Sequence, residues 1–174
     1  FYLPQPDCDS YSRRLFHFVG FLLDAGCEVT CVASQSAGHD AFAKLLTDRG
    51  VRVLVGLDTN EIAALAREER FDWALIGFWH TAAPLLPLLR QAAPATRIIV
   101  DSGDLHFLRA ARARLRDADG NPGGLDHAYE SSSVREINTY AAADGVLTVS
   151  RKEADLVADL LADDRRTFAV PDSE

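Results

Sequence analysis

The sequence predicts an α/β fold, a doubly wound parallel sheet with helices on both faces. Three observations predict it. Apolar segments of strand length alternate with longer stretches whose apolar residues recur at helical spacing. The strand segments are continuous apolar runs rather than alternating ones, as strands covered on both faces are. Glycines such as Gly26 and Gly50 stand where a helix must close before a strand.

In order, Phe1-Tyr2-Leu3 reads as the stub of a first strand. Leu15, Phe16, Val19, Leu22 and Leu23 then mark a helix, with Ser10 or Ser12 as its cap, and Gly26 closes it. Residues 27–34 (CEVTCVAS) follow as a strand rich in β-branched side chains. A helix over 41–49 leads through Gly50 to a strand at 51–57, and one over 60–70 to a strand at 71–78. A helix from about 83 to 92 leads to a strand at 96–101, and one over 134–143 to a strand at 145–150. A last amphipathic helix, 152–161, precedes a strand at 166–170. Such alternation implies right-handed βαβ units and one parallel sheet. Between them, 117–126 is a turn-rich surface excursion around Asp119-Gly120-Asn121-Pro122-Gly123-Gly124; it lacks the residue order of an EF-hand loop.

The totals agree. At 174 residues and 48% apolar content the chain can bury one sizeable core, so residues 1–174 are expected to form one domain. No stretch approaches the roughly 20 apolar residues of a membrane helix. The acidic start, Asp7 and Asp9, is not that of a signal peptide. A net charge of −8 argues against nucleic acid as a partner and gives no general attraction to an anionic membrane, for which Arg109, Arg112, Arg114 and Arg116 are the candidate local basic patch. Cys8, Cys27 and Cys31 are an odd set with no disulfide framework. They read as buried free thiols in a reducing cytoplasm. The chain has no methionine, opens on Phe1-Tyr2-Leu3 and stops at Pro171-Asp172-Ser173-Glu174; it reads as part of a longer protein.

In doubly wound sheets ligands bind beyond the carboxyl ends of the strands. The loop 4–14 has no G-x-G-x-x-G, and no P-loop motif occurs anywhere, which argues against dinucleotide binding and nucleotide hydrolysis. Asp9, Ser10, Arg13 and Arg14, beside a helix start, are candidates to hold hydroxyls or an anion, or simply a cap and solvated arginines. Phe78-Trp79-His80-Thr81 ends a strand with aromatic and imidazole groups; His80 is either a pocket residue or a satisfied end of the strand. Asp101-Ser102-Gly103-Asp104-Leu105-His106 is the densest cluster. Its carboxylates and imidazole suit hydroxyl binding and proton transfer, a metal is conceivable chemistry, and Asp104 could equally cap the next helix with His106 on the first turn. No G-x-S-x-G elbow supports a serine hydrolase.

Several ordered motifs then resemble the N-terminal domain of family 4-like, or group 1, glycosyltransferases, whose two Rossmann-like halves form a GT-B fold. The opening Leu3-Pro4-x-Pro-Asp-x-Asp-Ser-x-Ser-Arg-Arg is similar to their first strand–helix loop, and Asp24-Ala25-Gly26-Cys27-Glu28-Val29-Thr30 to their helix-to-strand step. Val100 to Arg109, the run from Glu136 through Asp144 to Ser150 and Glu153, and Val170-Pro171-Asp172 at the interdomain linker complete the likeness, which spans the chain. Three positions depart from the pattern: Tyr11 replaces a small residue, Cys27 a histidine, and Gly103 a cleft histidine for which His80 or His106 could substitute.

The resemblance implies an enzyme transferring a sugar from a nucleotide-sugar donor to a sugar, lipid or small-molecule acceptor, with retention and without metal or other cofactor. It implies catalytic roles for His80, Asp104 and His106, and substrate binding by Asp9, Ser10, Arg13, Arg14, Asp101, Arg109 and Ser150. The donor would be held mostly by a C-terminal half carrying the family's E-x7-E motif, so these residues alone are expected to bind nucleotide-sugars weakly and to be inactive. Two other readings stay open: a non-catalytic Rossmann-type binding or regulatory module, and half of a GT-B-type sugar-nucleotide epimerase.

Overall fold

A computed structural model describes residues 3–35, 40–117 and 131–171. The fold is α/β with parallel sheets flanked by helices. It divides into two compact units, residues 1–65 and 66–171, and the hydrogen-bonded strands form one sheet in each.

The first unit holds α1 (Ser10–Asp24), β1 (Thr30–Ala33), α2 (Asp40–Thr47) and β2 (Arg52–Val55). β1 and β2 pair in parallel, Thr30 opposite Arg52 and Ala33 opposite Val55. Leu3, Val19, Ala33, Leu46 and Val51 form its core, with Phe16, Val29 and Val53 packed against them. Of the expected first strand, Phe1 and Tyr2 lie outside the described residues, and Leu3 contributes core rather than a ladder. The cap of α1 is Asp9, not Ser10 or Ser12: its carboxylate accepts from the Ser12 N–H and hydroxyl, both at 2.7 Å. An extended residue with a short acceptor is what an N-cap requires, and Asp9 comes one residue earlier than the serines. Gly26 closes the helix at φ +79 as expected. Cys27, however, is exposed, as is Cys8, because β1 begins only at Thr30; Cys31 alone is partly buried, and burial pushes its thiol up to about 11.

α3 (Thr59–Glu69) spans the boundary. The second unit continues with β3 (Trp73–Gly77), α4 (Trp79–Ala92), β4 (Arg97–Asp101), α5 (His106–Asp117), α6 (Ser131–Ala142), β5 (Gly145–Thr148), α7 (Arg151–Leu161), a 3₁₀ turn (Asp164–Arg166) and β6 (Thr167–Ala169). Its four strands lie in sequence order, β3-β4-β5-β6, every pair parallel. Each neighbour therefore needs a crossover, which α4, the α5–α6 pair and α7 supply. Ile76, Ile98, Val100 and Val146 alternate into the buried layer, while Trp73, Leu75 and Phe168 remain exposed. The turn-rich stretch read at 117–126 falls, beyond Asp117, outside the described residues.

Polar contacts tie the helices to this sheet. The Asp144 carboxylate accepts from the Ile98 N–H at 2.6 Å and pairs with Arg90 at 2.9 Å, while the Asp144 N–H returns to the Ile98 carbonyl. Burial pushes this carboxyl up, but the Arg90 and Ile98 donors and the Arg97 charge outweigh it and hold the pKa below its ordinary value. The last carbonyls of α6 are satisfied from elsewhere in the chain: Arg166 donates to Ala141 and Ala143, and Arg90 to Ala142. No helix among the described residues is long and apolar enough to cross a membrane.

Candidate functional site

The site forms where β3 and β4 end. β3 passes into α4 with no loop, through the single residue Phe78. The sequence had placed the start of this helix near residue 83, but it begins at Trp79, so Trp79, His80 and Thr81 are its first turn rather than a connecting loop. Pro84 and Pro87 lie inside α4, where they lack the N–H that would bond four residues back. Proline is favoured at the first helical position, so Pro84 hides the earlier start from the sequence pattern.

Phe78 holds φ +63 and ψ 138, a strained conformation for a residue with a side chain; its N–H donates to the Asp101 carbonyl at 2.7 Å. The strain sets its ring beside Gly103. A Cβ on Gly103 would collide with the Phe78 ring at Cε1, and Gly103 itself has φ +66. Both constraints demand glycine. Gly103→Ala is expected to cost about 3 kcal/mol, combining left-handed backbone strain with overpacking, measured by denaturant unfolding. A loss under about 1 kcal/mol would show that Phe78 is free to move aside.

On this floor stands an imidazole pair. The His80 ring stacks on Phe78 with centroids 5.4 Å apart and on His106 at 5.5 Å, the ring planes inclined by 13° and 24°. His80 is exposed, and neither of its nitrogens has a hydrogen-bond partner among the described residues. Desolvation holds its pKa below the ordinary imidazole value. Its position in the first turn of α4 acts in the same direction, since the helix dipole opposes positive charge there.

His106 is bound on both sides. Trp79 Nε1–H donates to its Nδ1 at 3.1 Å, and its Nε2 meets Asp104 Oδ1 at 2.9 Å. The other Asp104 oxygen pairs with Arg109 at 2.7 Å. Desolvation lowers the His106 pKa first; Asp104 pulls it up, while Arg109 and His80 push it down, and the net direction is down. Asp101 is fully buried at the end of β4, with Oδ1 accepting the Gly103 N–H at 3.3 Å.

Asp104 does not cap α5 through its first N–H groups; Glu136 of α6 does. Its carboxylate accepts the His106 N–H at 2.9 Å, the Phe107 N–H at 2.7 Å and the Tyr140 hydroxyl at 2.9 Å. Glu136 and Tyr140 are both buried. Burial raises the Glu136 pKa, opposed by these three donors, and burial raises that of Tyr140 as well. Sequence reasoning placed Glu136 in a motif and gave it no role. The available signal was a glutamate one helical turn before a tyrosine on a face that must be buried.

The remaining expected site residues have these places. Ser150 lies at the end of β5 as the N-cap of α7, its oxygen accepting the Glu153 N–H at 3.3 Å. Arg109 is largely exposed on α5. Asp9, Ser10, Arg13 and Arg14 belong to the first unit, at the start of α1. There Asp9 caps the helix, Ser10 and Arg13 are exposed with Arg13 donating to the Pro6 carbonyl, and Arg14 is buried over the Phe18 ring. His80, Asp101, Asp104 and His106 thus lie beyond the carboxyl ends of β3 and β4 in one sheet, while Asp9 and Ser10, expected on the same edge, belong to the other unit. Among the described residues no three His, Cys, Asp or Glu side chains converge as metal ligands would.

The arrangement offers an exposed imidazole, its pKa held below the ordinary value, over an aromatic floor and beside a carboxylate–guanidinium pair. It can accept a hydrogen bond from a hydroxyl, present a flat ring face to a ligand and bind a second polar group at Arg109. Comparisons with protein-family models, curated proteins and solved structures give no match.

Proposed function

We propose that this chain is the acceptor-side half of a GT-B-type glycosyltransferase, an enzyme that moves a sugar from a nucleotide-sugar donor onto an acceptor hydroxyl. The observation that carries the reading is the stacked Phe78–His80–His106 cluster, with Asp104 and Arg109, at the carboxyl ends of parallel strands. In this account His80 accepts a hydrogen bond from the attacking hydroxyl, and Arg109 binds a neighbouring polar group of the acceptor. The donor is held by a second α/β half, and alignment of the two substrates supplies much of the rate. The motif resemblance along residues 3–172 points to the same class. The free thiols favour a cytoplasmic setting.

One observation favours a binding module instead: His106, Asp104 and Arg109 already satisfy one another. Incubation of the complete gene product with labelled uridine, guanosine and adenosine diphosphate sugars and a panel of sugar and lipid acceptors separates the two. Labelled glycoside is the expected result. Acceptor binding with no transfer from any donor would leave the binding module as the account.

A further inference from the structure

We infer that Trp79 is a positioning residue that fixes His106 in its neutral Nε2–H form, dividing the imidazole pair into one structural ring and one ligand-facing ring. An indole nitrogen can only donate. Its N–H lies 3.1 Å from His106 Nδ1, so that nitrogen must carry its lone pair. The proton of the neutral ring then sits on Nε2, where Asp104 Oδ1 accepts it at 2.9 Å, and the second Asp104 oxygen is held by Arg109. The chain of donors runs in one direction only, from Trp79 through His106 to Asp104.

Protonating His106 would place an N–H on Nδ1 facing the indole N–H, two donors with no acceptor between them. The charged groups around the ring are His80 of α4, Asp104 before α5, Arg109 of α5, and Glu136 of α6, which holds the His106 main-chain N–H. Asp104 alone pulls directly toward protonation, and the indole opposes it. His106 is therefore not available to exchange a proton, although it resembles a base in sequence. It serves as the plate on which His80 stacks, with His80 keeping both nitrogens for a ligand. That last assignment rests on the transferase reading; the tautomer does not.

Nitrogen NMR of the 174-residue chain, labelled at histidine and without any ligand, tests the tautomer by itself. In the wild type, His106 is expected as the Nε2–H form, neutral at pH 7. Trp79→Phe removes the indole N–H while keeping an aromatic ring, and should raise the His106 titration midpoint by at least half a pH unit. Asp104→Asn keeps an oxygen to accept from Nε2–H but removes the charge, and should lower that midpoint with the tautomer unchanged. An Nδ1–H ring or an imidazolium at neutral pH in the wild type overturns the inference, as does an unmoved midpoint in a folded Trp79→Phe protein. If Trp79→Phe does not fold, the wild-type tautomer and Asp104→Asn still decide. Transfer activity plays no part in this test, so its failure and the failure of the transferase reading are separate results.

Discussion

Glu136→Ala is expected to destabilise the second unit by about 4 kcal/mol. Glu136 is buried and serves three donors: two main-chain N–H groups at the start of α5 and the Tyr140 hydroxyl. Removal orphans all three away from solvent. Each buried unsatisfied donor costs about 1–3 kcal/mol, part of which relaxation and entering water recover. Glu136→Gln keeps one acceptor oxygen and turns an NH₂ toward a donor, so its loss should fall between wild type and alanine. The damage should not stay local. His106 and Phe107 open α5, and without their anchor the first turn frays, taking the Trp79–His106 and Asp104–Arg109 contacts with it. Denaturant unfolding followed by tryptophan fluorescence in a Trp73→Phe background measures both effects, since Trp79 is then the sole indole and lies against His106. A Glu136→Ala loss below about 1 kcal/mol would mean that the carboxylate is not the anchor of α5.

Much of the fold was legible because each strand–helix step carries a change of apolar period, and that period survives any detail of packing. Helix starts were less legible. Asp9 and the serines after it are all good caps, and only the backbone conformation at Asp9 selects among them. α4 has no capping side chain, and its prolines mimic a start several residues late. Within the site, Asp101, Asp104, His106 and His80 could be found because polar side chains directly after apolar strands sit where a sheet opens to ligand. Their division of roles could not. The Trp79–His106 bond joins residues 27 apart and the Glu136–His106 bond residues 30 apart, so neither leaves a local pattern. Gly103 read as a missing histidine; the structure gives its reason in the Phe78 ring packed against it.

His80→Ala should remove most of the activity with little cost to the fold. The ring is exposed, its nitrogens bond to nothing among the described residues, and it stacks on Phe78 and His106 without supporting a buried donor. Removing it therefore forfeits some ring contact and leaves no polar group stranded, a loss of about 1 kcal/mol or less. In the proposed transfer the same ring would orient the attacking hydroxyl and receive its hydrogen bond. A positioned acid–base group is worth about 10²- to 10⁴-fold in rate. Rescue by small imidazoles is not expected to be complete, because a free base lacks the Phe78 and His106 plates that hold the ring in place.

His80, not His106, is proposed to meet the acceptor. The most direct test is kcat/KM for sugar transfer by the complete gene product, wild type beside His80→Ala and His106→Gln, each with its unfolding midpoint. A fall of at least about 100-fold is expected for His80→Ala with only a small shift in midpoint. For His106→Gln a lowered midpoint and a smaller fall in rate are expected. A His80→Ala enzyme within a few-fold of wild type, or one that loses activity only as it loses stability, would contradict this assignment.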